Sequence, residues 1–61
     1  MPIVQIDFLE GRTLDQKRLL VEKVTQAIIE STGAPAENIS IIIREMSKEN
    51  YAKAGKLASD K

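Results

Sequence analysis

The sequence predicts a small α/β domain: one β-α-β unit with two parallel strands, built to assemble with copies of itself. Three observations predict it. Residues 2–9 carry a period-two apolar pattern, residues 14–32 carry an apolar stripe at helical spacing behind a capping motif, and residues 39–46 hold a β-branched run. Strand, helix and strand in this order give a parallel pair joined by a right-handed crossover. Two strands and one helix cannot cover both faces of their own sheet, so the second apolar face calls for a partner copy.

The first strand runs from Pro2 to Leu9. Val4, Ile6 and Phe8 form a wholly apolar face turned to the core, and Ile3, Gln5 and Asp7 form the other. Glu10-Gly11-Arg12 breaks the alternation, and Gly11 is free to take a positive φ. The helix spans about Leu14 to Thr32. Thr13 and Gln16 make a T-x-x-Q capping box, and Asp15 sits in the first turn, where the helix dipole favours negative charge. Leu20, Val24, Ala27 and Ile28 fall on one stripe; Leu14, Val21 and Ile29 widen it or meet a neighbouring subunit. Lys17, Arg18, Glu22, Lys23 and Glu30 fill the remaining arc as a solvated face. Gly33 supplies the left-handed stop and Pro35 prevents continuation.

The second strand runs from Ile39 to about Met46. Ile39, Ile41, Ile42 and Ile43 suit a strand covered on both faces. In the tail, Lys48-Glu49-Asn50 marks a turn. Tyr51, Ala52, Ala54, Leu57 and Ala58 are apolar enough to pack, and the Gly55 break fits a short hairpin or an arm reaching across a subunit boundary.

Composition excludes several function classes. The 61 residues make a single domain, residues 1–61, too short for a large core, so stability falls to self-association. The absence of cysteine removes disulfides and thiolate metal sites. The absence of histidine removes the commonest metal ligand and general base. Nine basic and nine acidic residues give no field favouring nucleic acid or anionic membrane. One Phe, one Tyr and no Trp leave no platform for stacking bases. No apolar run reaches membrane-spanning length and no signal-peptide pattern opens the chain. The expectation is a soluble cytoplasmic protein without nucleic-acid or membrane partners.

The chemistry starts at Met1-Pro2. Removal of Met1 is expected in the mature protein, because the residue it exposes is small. Proline within a chain has an amide nitrogen; proline at a free N-terminus is a secondary amine, a base and a nucleophile. A Met-Pro start alone favours a processed, solvated terminus over a catalytic amine. Arg12 is open to two readings: a cation that holds a substrate carboxylate, or a helix-entry residue making a surface contact.

Pro2-Ile3-Val4-Gln5-Ile6, Leu9-Glu10-Gly11-Arg12-Thr13, Gln16-Lys17, Ala34-Pro35, Glu45-Met46 and Leu57-Ala58-Ser59 together resemble the 4-oxalocrotonate tautomerases, also called 2-hydroxymuconate tautomerases. The resemblance covers nearly the whole chain. It implies a β-α-β protomer that forms dimers, three of which make a homohexamer. It implies an isomerase of aromatic degradation with Pro2 as general acid/base and no metal or organic cofactor. The substrate class is a small carboxylate-bearing enol or enone, such as 2-hydroxymuconate ketonised to an unsaturated 2-oxo acid. The enzyme assignment rests on this resemblance; the fold assignment stands without it.

The residues fit that chemistry. Tautomerisation needs one group that takes and returns a proton near neutral pH. An α-amino group titrates at about 7.7–8.0, and burial or a nearby cation favours its neutral, basic form. Arg12 then serves as carboxylate clamp and electrostatic stabiliser. Leu9 and Tyr51 are expected to line the substrate pocket. Tyr51 stands where the family commonly has phenylalanine; it walls the pocket or simply packs in the assembly. Ser40 is a departure, since the best-known members carry an arginine there that reaches a neighbouring subunit's site. Discrimination between diacid and monoacid substrates is therefore expected to be shallow. Arg44 or Lys61 would be the next candidates to compensate. Two other readings stay open: another Pro2-dependent activity such as haloacrylate hydration or iminium chemistry, and a non-catalytic oligomeric module of the same fold.

Overall fold

Strand β1 (Ile3–Leu9) and strand β2 (Ser40–Met46) lie side by side in parallel, joined by helix α1 (Leu14–Thr32). The structure, a computed structural model, describes residues 1–60. The register pairs Ile3 with Ser40 at one end and Leu9 with Met46 at the other. Period-two alternation decides the faces. Val4, Ile6, Phe8, Ile41 and Ile43 are half-buried beneath the helix, while Ile3, Gln5, Asp7, Ser40, Ile42 and Arg44 are exposed on the opposite face. An ion pair between Lys17 and Glu45 ties the helix to the end of β2.

Both strands begin one residue later than the pattern suggests. Pro2 has no N–H to donate, though its carbonyl accepts from the Ser40 N–H at 3.0 Å. The Ile39 N–H is taken by the Ala36 carbonyl at 3.1 Å, closing a 3-10 turn over Ala36–Asn38. The helix ends fall where the sequence puts them. The Gln16 N–H donates to Thr13 Oγ1 at 3.1 Å, and the Thr13 N–H donates to Gln16 Oε1 at 2.8 Å. Gly33 takes φ 77° and donates to the Ile29 carbonyl at 2.9 Å.

The inward arc of α1 differs in one position. Leu20, Val21, Val24, Ile28 and Ile29 are half-buried, but Ala27 is exposed. At about 100° per residue the buried arc runs from Leu20 round to Ile29, and Ala27 falls about 20° outside it. Val21 and Ile29 thus widen the core face, whereas Leu14 stays 60% exposed.

The tail folds into the hairpin that the Gly55 break suggests. A 3-10 turn over Lys48–Asn50 leads into antiparallel strands β3 (Ala52–Lys53) and β4 (Lys56–Leu57). The two-residue loop has positive φ at both positions, 53° at Ala54 and 80° at Gly55. That is the type I′ pattern, whose twist matches a hairpin. Glycine accepts it freely; alanine does so under strain.

The chain is extended rather than round. Its radius of gyration is 14.7 Å and its extents are 43 × 23 × 14 Å, against a radius of roughly 10 Å for a compact domain of this length. No described residue is fully buried, and Ile3, Leu14, Leu19, Ile42, Tyr51 and Leu57 are each at least 40% exposed. A chain with no interior of its own should not persist as a folded monomer. We expect it to sediment as a hexamer at micromolar concentration, and a folded, monodisperse monomer would overturn that expectation.

Candidate active site

The residues singled out from sequence fall at the two ends of β1. Pro2 stands at its head, half-buried, with Ser40 beside it across the ladder. The Ser40 side chain is exposed and shares the helix-free face with Ile42 and Arg44. Met1 is 90% exposed and ties up the Pro2 nitrogen as an amide while it is attached.

Leu9, Arg12 and Tyr51 meet at the other end. The Glu10 N–H donates to the Met46 carbonyl at 2.8 Å, which carries the ladder one residue past β1. Gly11 then turns the chain with φ 125°, a conformation that a side chain would strain. Arg12 is held between that turn and the helix cap at Thr13, and its guanidinium carbon lies 5.7 Å from the Phe8 ring centroid. This is cation–π distance, so the ring supports the charge without neutralising it. Tyr51 follows the Lys48–Asn50 turn, and its carbonyl accepts from the Ala58 N–H at 2.8 Å.

Two clefts adjoin at this end, and Leu9 and Tyr51 line both. The first, also lined by Asp7, Phe8, Arg12 and Met46, measures about 380 Å³. The second, of the same size, takes in Lys53, Lys56 and Leu57 from the hairpin. The sequence reading did not single out these two lysines. Their spacing around Ala54-Gly55 was the available signal, because a two-residue loop sets its flanking residues opposite each other.

The two ends do not meet within one chain. Pro2 and Leu9 are seven strand positions apart, or about 23 Å. Arg12 is expected from sequence to act near the amine; within one chain the whole of β1 lies between them. One small acid can touch both only if Pro2 and Arg12 come from different subunits. Arg44 lies on the same face as Ser40 but apart from it. It pairs across the ladder with Asp7, Nε to Oδ1 at 3.6 Å, and lies four strand positions from Ser40, about 13 Å away. Lys61 lies outside the described residues.

Comparison with known proteins agrees with this architecture. The sequence profile of the tautomerase enzymes matches residues 2–61. A 2-hydroxymuconate tautomerase of Bacillus subtilis (strain 168) is 58% identical over 60 residues, 98% of this chain and 97% of its own. The crystal structure of a homologue of 4-oxalocrotonate tautomerase superposes with a TM-score of 0.93 at 57% identity, covering 98% of each chain. A heterohexameric 4-oxalocrotonate tautomerase from Chloroflexus aurantiacus J-10-fl superposes with a TM-score of 0.90 at 25% identity, covering 98% of this chain and 97% of that one. A match over all but the first residue, carried by the same β-α-β frame, makes this chain a member of the tautomerase enzyme family.

Proposed function

We propose that the mature chain, freed of Met1, is a cytoplasmic homohexamer, a trimer of dimers, that ketonises 2-hydroxymuconate-like dienols to unsaturated 2-oxo acids. The observation that carries this reading is the proline at the head of β1 in a chain that matches tautomerases from that residue onward. The Pro2 amine takes the proton of the 2-hydroxyl group, leaving a dienolate. The prolinium then returns the proton to a conjugated carbon, so the substrate is isomerised with no net gain or loss. Arg12 of a neighbouring subunit binds a carboxylate and stabilises the charge that develops on the dienolate. Leu9 and Tyr51 wall the cleft against water, and Ser40, whose N–H donates to the Pro2 carbonyl, brings a neutral hydroxyl to the same end of the sheet.

The separation of Pro2 from Arg12 along β1 supports a site shared between subunits, and it can be tested by mixing. A chain with Met1 retained, whose Pro2 nitrogen is an amide, and a chain with Arg12→Ala should each be at least about tenfold slower than the mature native chain. Co-refolded in equal amounts, they should regain about a quarter of the native sites, each with Pro2 from one subunit and Arg12 from another. Activity that stays at the level of the unmixed variants would sink the shared site.

A further inference from the structure

We propose that Lys53 and Lys56 form a second carboxylate-binding subsite, separated from Arg12 by the Leu9–Tyr51 wall, and that this pair makes the enzyme selective for dicarboxylates. The proposal rests on the site reading above, in which the Leu9, Arg12 and Tyr51 end of the chain receives the substrate.

Four observations carry it. Lys53 and Lys56 are register partners across the hairpin, so both ammonium groups leave the same face. Both line the cleft that Leu9 and Tyr51 share with the Arg12 cleft. Neither joins an ion pair among the described residues, a state they share with Arg12, Lys23 and Lys48. Asp60 also lines the cleft, so among the described residues two cations face one anion.

The hairpin also departs from local preference in two ways. Like charges directly opposite each other destabilise a strand pair, and Ala54 holds a left-handed conformation at φ 53°. Departures from local rules concentrate where a site gains from them. An anion placed between the lysines converts their repulsion into two charge-assisted contacts. A linear diacid lying across the Leu9–Tyr51 wall would put one carboxylate on Arg12 and the other on the lysine pair. Ser40 offers only a neutral hydroxyl, and Arg44 faces Asp7 at 3.6 Å. The lysines thus replace the shallow discrimination expected from Ser40 with a marked preference for two carboxylates.

The test compares the mature native protein with Lys53→Gln/Lys56→Gln and Lys53→Arg/Lys56→Arg. The readouts are kcat/KM for 2-hydroxymuconate, with two carboxylates, and for 2-hydroxy-2,4-pentadienoate, with one. The glutamine pair should lose at least about fivefold on the diacid and stay within about twofold on the monoacid, while the arginine pair keeps the native ratio. Equal change on both substrates, or none on either, overturns the proposal and leaves the lysines as a charged edge that discourages aggregation. A second arm needs no turnover: binding of unreactive cis,cis-muconate and of sorbate is measured by calorimetry on the same proteins. The native protein should prefer the diacid and the glutamine pair should lose that preference; an unchanged preference, or none in the native protein, overturns the subsite. If the native protein binds the diacid through the lysines yet turns over neither substrate, the tautomerase reading fails and the subsite stands.

Discussion

The chain that begins at Pro2 should ketonise 2-hydroxymuconate, and the same chain with Met1 retained should be slower by at least about a hundredfold, the lower end of what a positioned acid/base contributes. The reason is valence. The nitrogen of an internal proline is an amide and cannot accept a proton, whereas that of an N-terminal proline is an amine. Retaining Met1 should leave the fold intact, because Met1 is 90% exposed and β1 begins at Ile3. Mass spectrometry establishes which form is present, and circular dichroism and sedimentation establish that both forms fold and assemble alike. Activity of the mature chain should fall on the acid side of its pH profile, as the amine takes up the proton that disables it as a base. Equal rates for the two forms would remove Pro2 from the chemistry and favour the non-catalytic reading.

Arg12→Ala should lower kcat/KM for a carboxylate-bearing substrate by at least about tenfold, roughly 1.4 kcal/mol of transition-state stabilisation. The loss should shrink for a substrate that lacks the carboxylate Arg12 holds. Arg12 can serve in this way because it joins no ion pair among the described residues and lies at cation–π distance from the Phe8 ring, which stabilises a cation yet leaves its N–H donors available. Arg12 follows the Gly11 turn and precedes the Thr13–Gln16 capping box, neither of which uses its side chain, so its removal should leave assembly unchanged. A uniform loss on both substrates would point instead to a fault in the fold or in the Pro2 amine.

Much of this was legible along the chain because it is local. The capping box needs only Thr13 and Gln16, three residues apart, and the helix stop needs only Gly33. The faces of β1 and β2 follow from the period of two, so Ser40 and Arg44 share a face as their spacing requires. The hairpin is signalled by one glycine after a short polar turn. The inward arc of α1 was less legible: apolar spacing nominated Ala27, but a methyl group is small enough to sit at either edge of an apolar arc, and packing against the sheet put it outside.

The sequence by itself determined the β-α-β order and the ends of the helix, which follow from residue type and short-range spacing; Pro2 and Arg12 were nominated as base and cation through the family resemblance. Only the tertiary structure decided how these residues lie in space. Parallel pairing of β1 with β2 set Ser40 opposite Ile3, with its N–H on the Pro2 carbonyl, and Arg44 opposite Asp7. The length of β1 put Pro2 and Arg12 at opposite ends. The type I′ loop set Lys53 opposite Lys56 on a cleft bounded by Leu9 and Tyr51. Register and strand length join residues far apart in sequence and separate residues close in it, and no local pattern encodes that geometry.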